Sequence, residues 1–229
     1  MLTNSMPPIK SMQGGKIHGI AGDVLITLLA SADITIPTEN MHLVPWKEVY
    51  ARTRDNPGTI ALAMARTPER EDLFKWVGPI YTTKLGLIGK KKRKLVIKKV
   101  EDLTKYRIST FIDSTMENLL IAANIPEDSL SRNTKVEHAI YQLALDEVDL
   151  LAFAKTPAFY LMQHEGLDPD EYAMVFEMRT VDLYLAFNKA TDDELIRAFQ
   201  MELDTLKKPD ANGMSAFDSM LTKYFRPNY

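Results

Sequence analysis

The chain has 229 residues, of which 45% are apolar and 26% charged, proportions ordinary for a globular protein with a real core, built as one large domain or two lobes of roughly 100 residues each. A formal net charge of -3 argues against a general nucleic-acid binder. With no cysteine, the chain has no disulfide framework, thiolate metal site or thiol nucleophile.

Residues 1–30 show no basic stretch followed by an apolar core, so no secretory signal is visible, and no apolar run reaches the length of a membrane span. Met6-Pro7-Pro8 predicts a loop and Gln13-Gly14-Gly15-Lys16 a turn. Residues 22–32 (GDVLITLLASA) predict an apolar helix with Asp23 in its first turn. Residues 41–44 predict a short strand, and 46–54 a helix that starts after Pro45. Asn56-Pro57-Gly58 is a turn before 59–63 (TIALA), an apolar run that reads as a buried strand. At Thr67-Pro68 the pattern breaks, and Pro behind Thr predicts a helix start. Glu69, Arg70, Glu71 and Asp72 then fill the first turn. Arg70 sits just past a strand end, where backbone N–H groups and one guanidinium can hold a small anion. Taken alone, Arg70 is equally a surface residue paired with Glu69 or Glu71.

Residues 84–89 (KLGLIG) predict another strand, followed by Lys90, Lys91, Lys92, Arg93 and Lys94, with Lys98 and Lys99 close behind. This basic run has no interleaved aromatics and reads as a solvated segment rather than a nucleic-acid patch. A second α/β series begins at 103–110. Asp113-Ser114-Thr115 precedes a helix over 116–123 and offers it an N-cap. An amphipathic helix over 134–145, a buried strand over 148–153 (VDLLAF) and a helix over 156–163 follow. Strands over 172–178 and 182–187 and helices over 192–206 and 216–224 close the chain. Such alternation makes α/β the default class. His18, His42, His138 and His164 are scattered, with no pair at metal-ligand spacing, and no nucleophile elbow, P-loop or dinucleotide fingerprint is present.

The succession of the TIALA strand, Thr67-Pro68-Glu69-Arg70 and an aromatic run closing in Pro79-Ile80-Tyr81 resembles the extracellular solute-binding proteins of family 3. These are the substrate-binding components of bacterial ABC importers, mostly for polar amino acids. The resemblance extends in order from about Met6 to Phe225. It implies an α/β, two-lobe periplasmic-binding-protein-like fold (type II), with the ligand cleft between lobes joined by two hinge crossings, near Gly89 and Asp182. Lobe 1 would be residues 1–88 plus 187–229 and lobe 2 residues 89–186. Binding would work by closure, the ligand selecting the closed state by its added contacts.

The resemblance also implies a ligand site. Arg70 would hold the ligand carboxylate, and Ser114 and Thr115 would take it from the second lobe, where residues alone suggest an ordinary helix cap. Trp46 would face the ligand as an apolar wall; from the sequence alone it packs its helix into the core. Ala65 and Arg66, just before the motif, are further candidate contacts, Arg66 as a second positive group or as a surface residue of the same loop. Met6 stands where the family places a stacking aromatic, and Ala21 where it places the first Asp of a pair. Asp113 replaces a usual Gly. Where amino-acid binders carry an Asp for the α-ammonium group, this chain has Ala154 and Lys155. A Lys155 facing the cleft favours anions over an ammonium group.

The expectation is therefore a non-enzymatic, periplasmic binding protein for a small carboxylate-bearing solute. Its partners would be that solute and a membrane permease, with no nucleic acid, cofactor or metal, and the chain would be a monomer. Only Leu2-Thr3 stand where the resemblance implies a full first strand, so an export signal is expected to have been removed or truncated, with a cytoplasmic location as the alternative. Two other functions stay open. One is an enzyme on the same fold, akin to cyclohexadienyl dehydratases, with Asp113 as its acid or base. The other is the ligand-sensing domain of a signalling protein.

Overall fold

The computed structural model describes residues 1–112 and 114–224, so the expectations placed on Asp113 and Phe225 lie outside the described residues. In chain order the first half holds β1 (Leu2–Thr3), β2 (Ser11–Gln13), β3 (Lys16–His18), α1 (Ile20–Ser31), β4 (His42–Leu43), α2 (Trp46–Asp55), β5 (Ile60–Ala65) and β6 (Phe74–Lys90). Then come β7 (Ile108–Phe111), α3 (Thr115–Ala122), β8 (Leu130–Asn133), α4 (Val136–Ala144), β9 (Leu150–Ala154) and α5 (Lys155–His164). The chain continues through β10 (Tyr172–Asn188), α6 (Asp193–Leu206) and α7 (Ala216–Thr222). It divides into two units: Met1–Thr82 with Asp182–Tyr229, and Thr83–Val181. The boundaries expected after residues 88 and 186 fall further along the same two strands, β6 and β10, in which the chain passes from one unit to the other.

In the first unit β1 pairs in parallel with both β4 and β5, and β10 pairs antiparallel with β5, with Leu183 opposite Ala65 and Phe187 opposite Ile60. Helix α1 buries Ile20, Val24, Leu25, Leu28 and Leu29. It packs on β5, α6 and α7, and each such side chain contributes about 1.5–3 kcal/mol of burial. A second cluster joins Leu2, Val49, Ala61, Met64, Phe74 and Ala186. Gly19 reaches φ 101°, and a Cβ there would stand 2.7 Å from the Ile9 carbonyl oxygen, so only glycine lets the chain enter α1 this close to the preceding turn.

The second unit repeats the plan with other residues. Strand β7 pairs in parallel with β8 and β9, while β6 pairs antiparallel with β9, Leu85 opposite Ala154. Its core gathers Ile88, Ile140, Leu143, Leu151, Phe159 and Met162 from β6, α4, β9 and α5. The half-buried Gln142 side chain accepts hydrogen bonds from Ser109, Ser131 and Asn133 at 2.7–2.9 Å, tying α4 to β7 and β8.

Four expectations are corrected. No helix begins at Thr67-Pro68: the segment is a turn, with Arg70 N–H bonded to the Thr67 carbonyl at 2.9 Å, then a short 3-10 turn (Glu71–Leu73) that enters β6 directly. Proline suits the second position of such a turn as well as a helix start, and the Phe74-Lys75-Trp76-Val77 run favours a strand. The strands expected over 172–178 and 182–187 are a single strand, β10, and the one expected over 84–89 is the end of β6. Gly89 lies inside β6, where an added Cβ would meet Leu95 at 3.1 Å and Leu150 at 3.3 Å. Within the basic run, Lys90 is buried rather than solvated and donates to Ala144 O and Asp146 Oδ2 at 2.7 Å each, while Lys91, Lys92 and Lys94 are exposed.

Candidate functional site

Parallel strands send their following loops to one edge, and open α/β sheets bind ligands outside those carboxyl ends. In the first unit the segments leaving β4, β1 and β5 are 44–45, 4–10 and 66–73, so Met6, Arg70 and Trp46, the first residue of α2, all arrive at this edge. Pro45 caps α2 and makes Trp46 its first residue, half-buried against the core. Arg70 is turned back along the strand end and donates through Nη1 to Ala65 O at 3.2 Å. Its guanidinium lies over the rings of Trp46 and Tyr50, each centroid 5.4 Å away. Burial lowers its pKa from the usual arginine range while Tyr50 and Glu69 pull it up, and a guanidinium so placed stays charged. The ion pairs among the described residues do not include it. Several N–H donors and a full charge are thus left for an outside partner.

Arg66 is differently placed. It is exposed and forms a two-pronged pair with Glu71, its Nε 2.7 Å from Oε2. Its guanidinium also lies 5.2 Å from the Tyr184 ring and 5.8 Å from Trp76. The Glu71 contact raises its pKa, so its charge is already matched. Ala65 is the buried last residue of β5 and offers its carbonyl to Arg70. The Met6 carbonyl accepts the N–H groups of Ile9 and Lys10 at 3.0 and 3.1 Å, closing the turn in which Met6 stands.

The same turn delivers a residue that the sequence reading missed. Lys10 is only 2% exposed. Its Nζ donates to the carbonyls of Leu62 and Ala63 at 2.8 and 3.2 Å and lies 5.3 Å from the centroid of the Trp46 ring. Ala63 has φ 47°, a left-handed conformation that L residues seldom adopt, and the two successive carbonyls both reach the ammonium group. Burial, reinforced by the Arg70 charge, lowers the Lys10 pKa to about 7. In sequence Lys10 follows Pro7-Pro8-Ile9 and looks like a loop lysine, so the only available signal was its place beside a rigid turn.

In the second unit the loops leaving β7 and β9 carry the other candidates. Ser114 caps α3, its Oγ accepting from Glu117 N at 3.0 Å, and Thr115 is the first helical residue. Lys155 opens α5, half-buried, with Nζ 5.9 Å from the Phe159 ring centroid. Ala154 ends β9 as a buried residue with no polar side chain where an ammonium partner was looked for. The structure thus brings Met6, Trp46, Ala65, Arg66 and Arg70 to one edge of the first unit, and Ser114, Thr115 and Lys155 to the corresponding edge of the second. Among the described residues no three His, Asp or Glu side chains gather as a metal site, and no helix is long and apolar enough to cross a membrane.

No family model and no curated protein matches the chain. Solved structures do. A histidine kinase sensor domain with similarity to periplasmic binding proteins superposes with a TM-score of 0.79 at 16% identity, over 98% of this chain and 94% of that one. The GluR0 ligand-binding core in complex with L-glutamate gives a TM-score of 0.79 at 13% identity, over 98% and 97% of the two chains. A substrate-binding protein of an ABC uptake transporter from Streptococcus pneumoniae, with bound histidine, gives 0.78 at 17%, over 98% and 91%. Identities this low show the fold alone. The expected mixed α/β, two-lobe periplasmic-binding-protein-like fold is borne out, and with it the resemblance at the level of architecture.

Proposed function

We propose that the chain is a solute-binding protein, the substrate-binding component of an ABC importer, which holds a small carboxylate-bearing solute outside the cytoplasmic membrane. The observation that carries this reading is Arg70: a half-buried guanidinium at the carboxyl end of β5, over the rings of Trp46 and Tyr50 and outside every ion pair of the described residues. The two rings and the bond to Ala65 O restrict the guanidinium, so a carboxylate can be met by its remaining N–H donors with less further ordering of the side chain. Trp46 supplies the apolar wall beside it. Ser114, Thr115 and Lys155 are the second unit's own candidate polar residues, and the bound solute would be delivered to a membrane permease.

Two properties support binding rather than chemistry and an acidic rather than zwitterionic solute. The similar structures named above are binding and sensing modules. At the position that amino-acid binders use for the ammonium group stand Ala154 and Lys155, which offer no anion. The test is a thermal-shift panel of amino acids beside the matched carboxylates lacking the amino group. A ligand well above its dissociation constant raises the melting temperature by mass action. Shifts confined to the des-amino acids support the reading; shifts confined to amino acids overturn its acidic-solute half; Arg70→Ala with unchanged affinity overturns the site.

A further inference from the structure

Arg70 is not the only cation on the Trp46 indole. Lys10 lies over the same ring, 5.3 Å from its centroid against 5.4 Å for Arg70, and neither belongs to an ion pair among the described residues. Of the three N–H donors of its ammonium, two are used by Leu62 O and Ala63 O. Two neighbouring positive charges outside the ion pairs of the described residues, with only the field of Glu69 acting on Arg70, are costly to keep in a protein interior. A plain structural peg between β5 carbonyls could have been a neutral donor; a lysine here places a switchable charge behind the site.

We propose that Lys10 is a second, buried charge of the Arg70 site, a positioning residue that does not touch the solute but favours dianionic over monoanionic carboxylates and couples their binding to uptake of a proton. The inference rests on the solute-binding reading above and names the charge class of the ligand. Among the described residues, β5 presents two carbonyls to Lys10, α2 the Trp46 ring, and the turn after β5 the Arg70 guanidinium, whose field lowers the Lys10 pKa and which is itself under the field of Glu69. In the free protein the Arg70 field and burial hold the ammonium half-neutral near pH 7. An anion seated on Arg70 cancels the repulsion and restores the charge, and two negative charges do so more fully than one.

The experiment uses glutarate and butyrate as probes, titrated calorimetrically into the whole chain at pH 8 in two buffers of different ionisation enthalpy. Glutarate is expected to bind with uptake of a sizeable fraction of a proton, up to about one, and to lose affinity by up to about tenfold per pH unit above pH 7. Butyrate is expected to bind more weakly and with less uptake. Lys10→Met should abolish both the pH slope and the preference for glutarate. Should that variant fail to fold, the wild-type proton count alone decides. Binding of glutarate without proton uptake, or equal affinity for the two probes, overturns the role of Lys10 while leaving the Arg70 reading intact. Failure of every carboxylate to bind overturns both.

Discussion

The two units are built on one plan and use it differently. Each sets three parallel strands side by side, β4-β1-β5 in the first and β9-β7-β8 in the second, and each places its candidate residues just past the carboxyl ends. At the first edge the polar groups are basic side chains outside the ion pairs of the described residues: Arg70 spends one donor on Ala65, and Lys10, its pKa lowered to about 7 by burial and the Arg70 charge, donates to two carbonyls. At the second edge the Ser114 hydroxyl is spent on Glu117 N, and behind it Ser109, Ser131 and Asn133 are spent on Gln142. The candidate groups of the first edge are thus cationic, while at the second the Ser114 hydroxyl already has a structural duty and Lys155 is the one basic candidate.

That contrast can be broken experimentally. The largest effect on binding is expected from Arg70→Ala, which should weaken any carboxylate ligand by about 100-fold or more, the loss of a buried charge-assisted pair, with the melting temperature of the free protein little changed. Calorimetric titration and a thermal scan of the same sample check both halves. For stability the largest effect belongs to the shared frame: Leu25→Ala in α1, fully buried, should cost about 2–5 kcal/mol in urea unfolding.

Lys10 sharpens the contrast through pH. In the unfolded chain a lysine is protonated up to about pH 10, whereas folded Lys10 keeps its proton only below about 7. Between those values the unfolded state binds more protons, so this group makes stability rise with pH from about 7 to about 10, on the order of a few kcal/mol. A Lys10→Met variant should show a flatter profile across that window, and a profile as steep as the wild type would remove Lys10 as its source.

Smaller effects are expected where groups are already partnered. Ser114→Ala should cost about 1 kcal/mol of stability as a lost cap, and should reduce carboxylate affinity less than Arg70→Ala does. Arg66→Ala should be smallest, within about 1 kcal/mol because its pair with Glu71 is exposed, and should shift carboxylate affinity only a few-fold. A loss as deep as that of Arg70→Ala would show that Arg66 exchanges Glu71 for the solute.

Much of this was legible in the sequence, and the failures have physical causes. The order of strands and helices follows from apolar runs bounded by Pro and Gly, and Trp46 and Arg70 stand out because each follows a strand end. Gly78-Pro79 and Arg179-Thr180 interrupt the strand pattern locally, yet β6 and β10 each run unbroken through them. Thr67-Pro68 has the chemistry of a helix start and of a turn alike, and only the strand-forming residues behind it decide. Lys10 could not be found by spacing, because the carbonyls that hold it lie 52 and 53 residues further along the chain.

One feature of the first edge also gives the protein a built-in optical probe. The chain has two tryptophans, Trp46 and Trp76, and both belong to the first unit. They are joined through Tyr50 and Phe74 by ring contacts of 5.5–6.3 Å, with Lys10 and Arg70 on the Trp46 face and Arg66 on Trp76. Intrinsic emission therefore reports on the anion edge and is silent about the Ser114 edge. A label-free titration with selective tryptophan excitation would show whether a solute reaches the Arg70 and Trp46 edge.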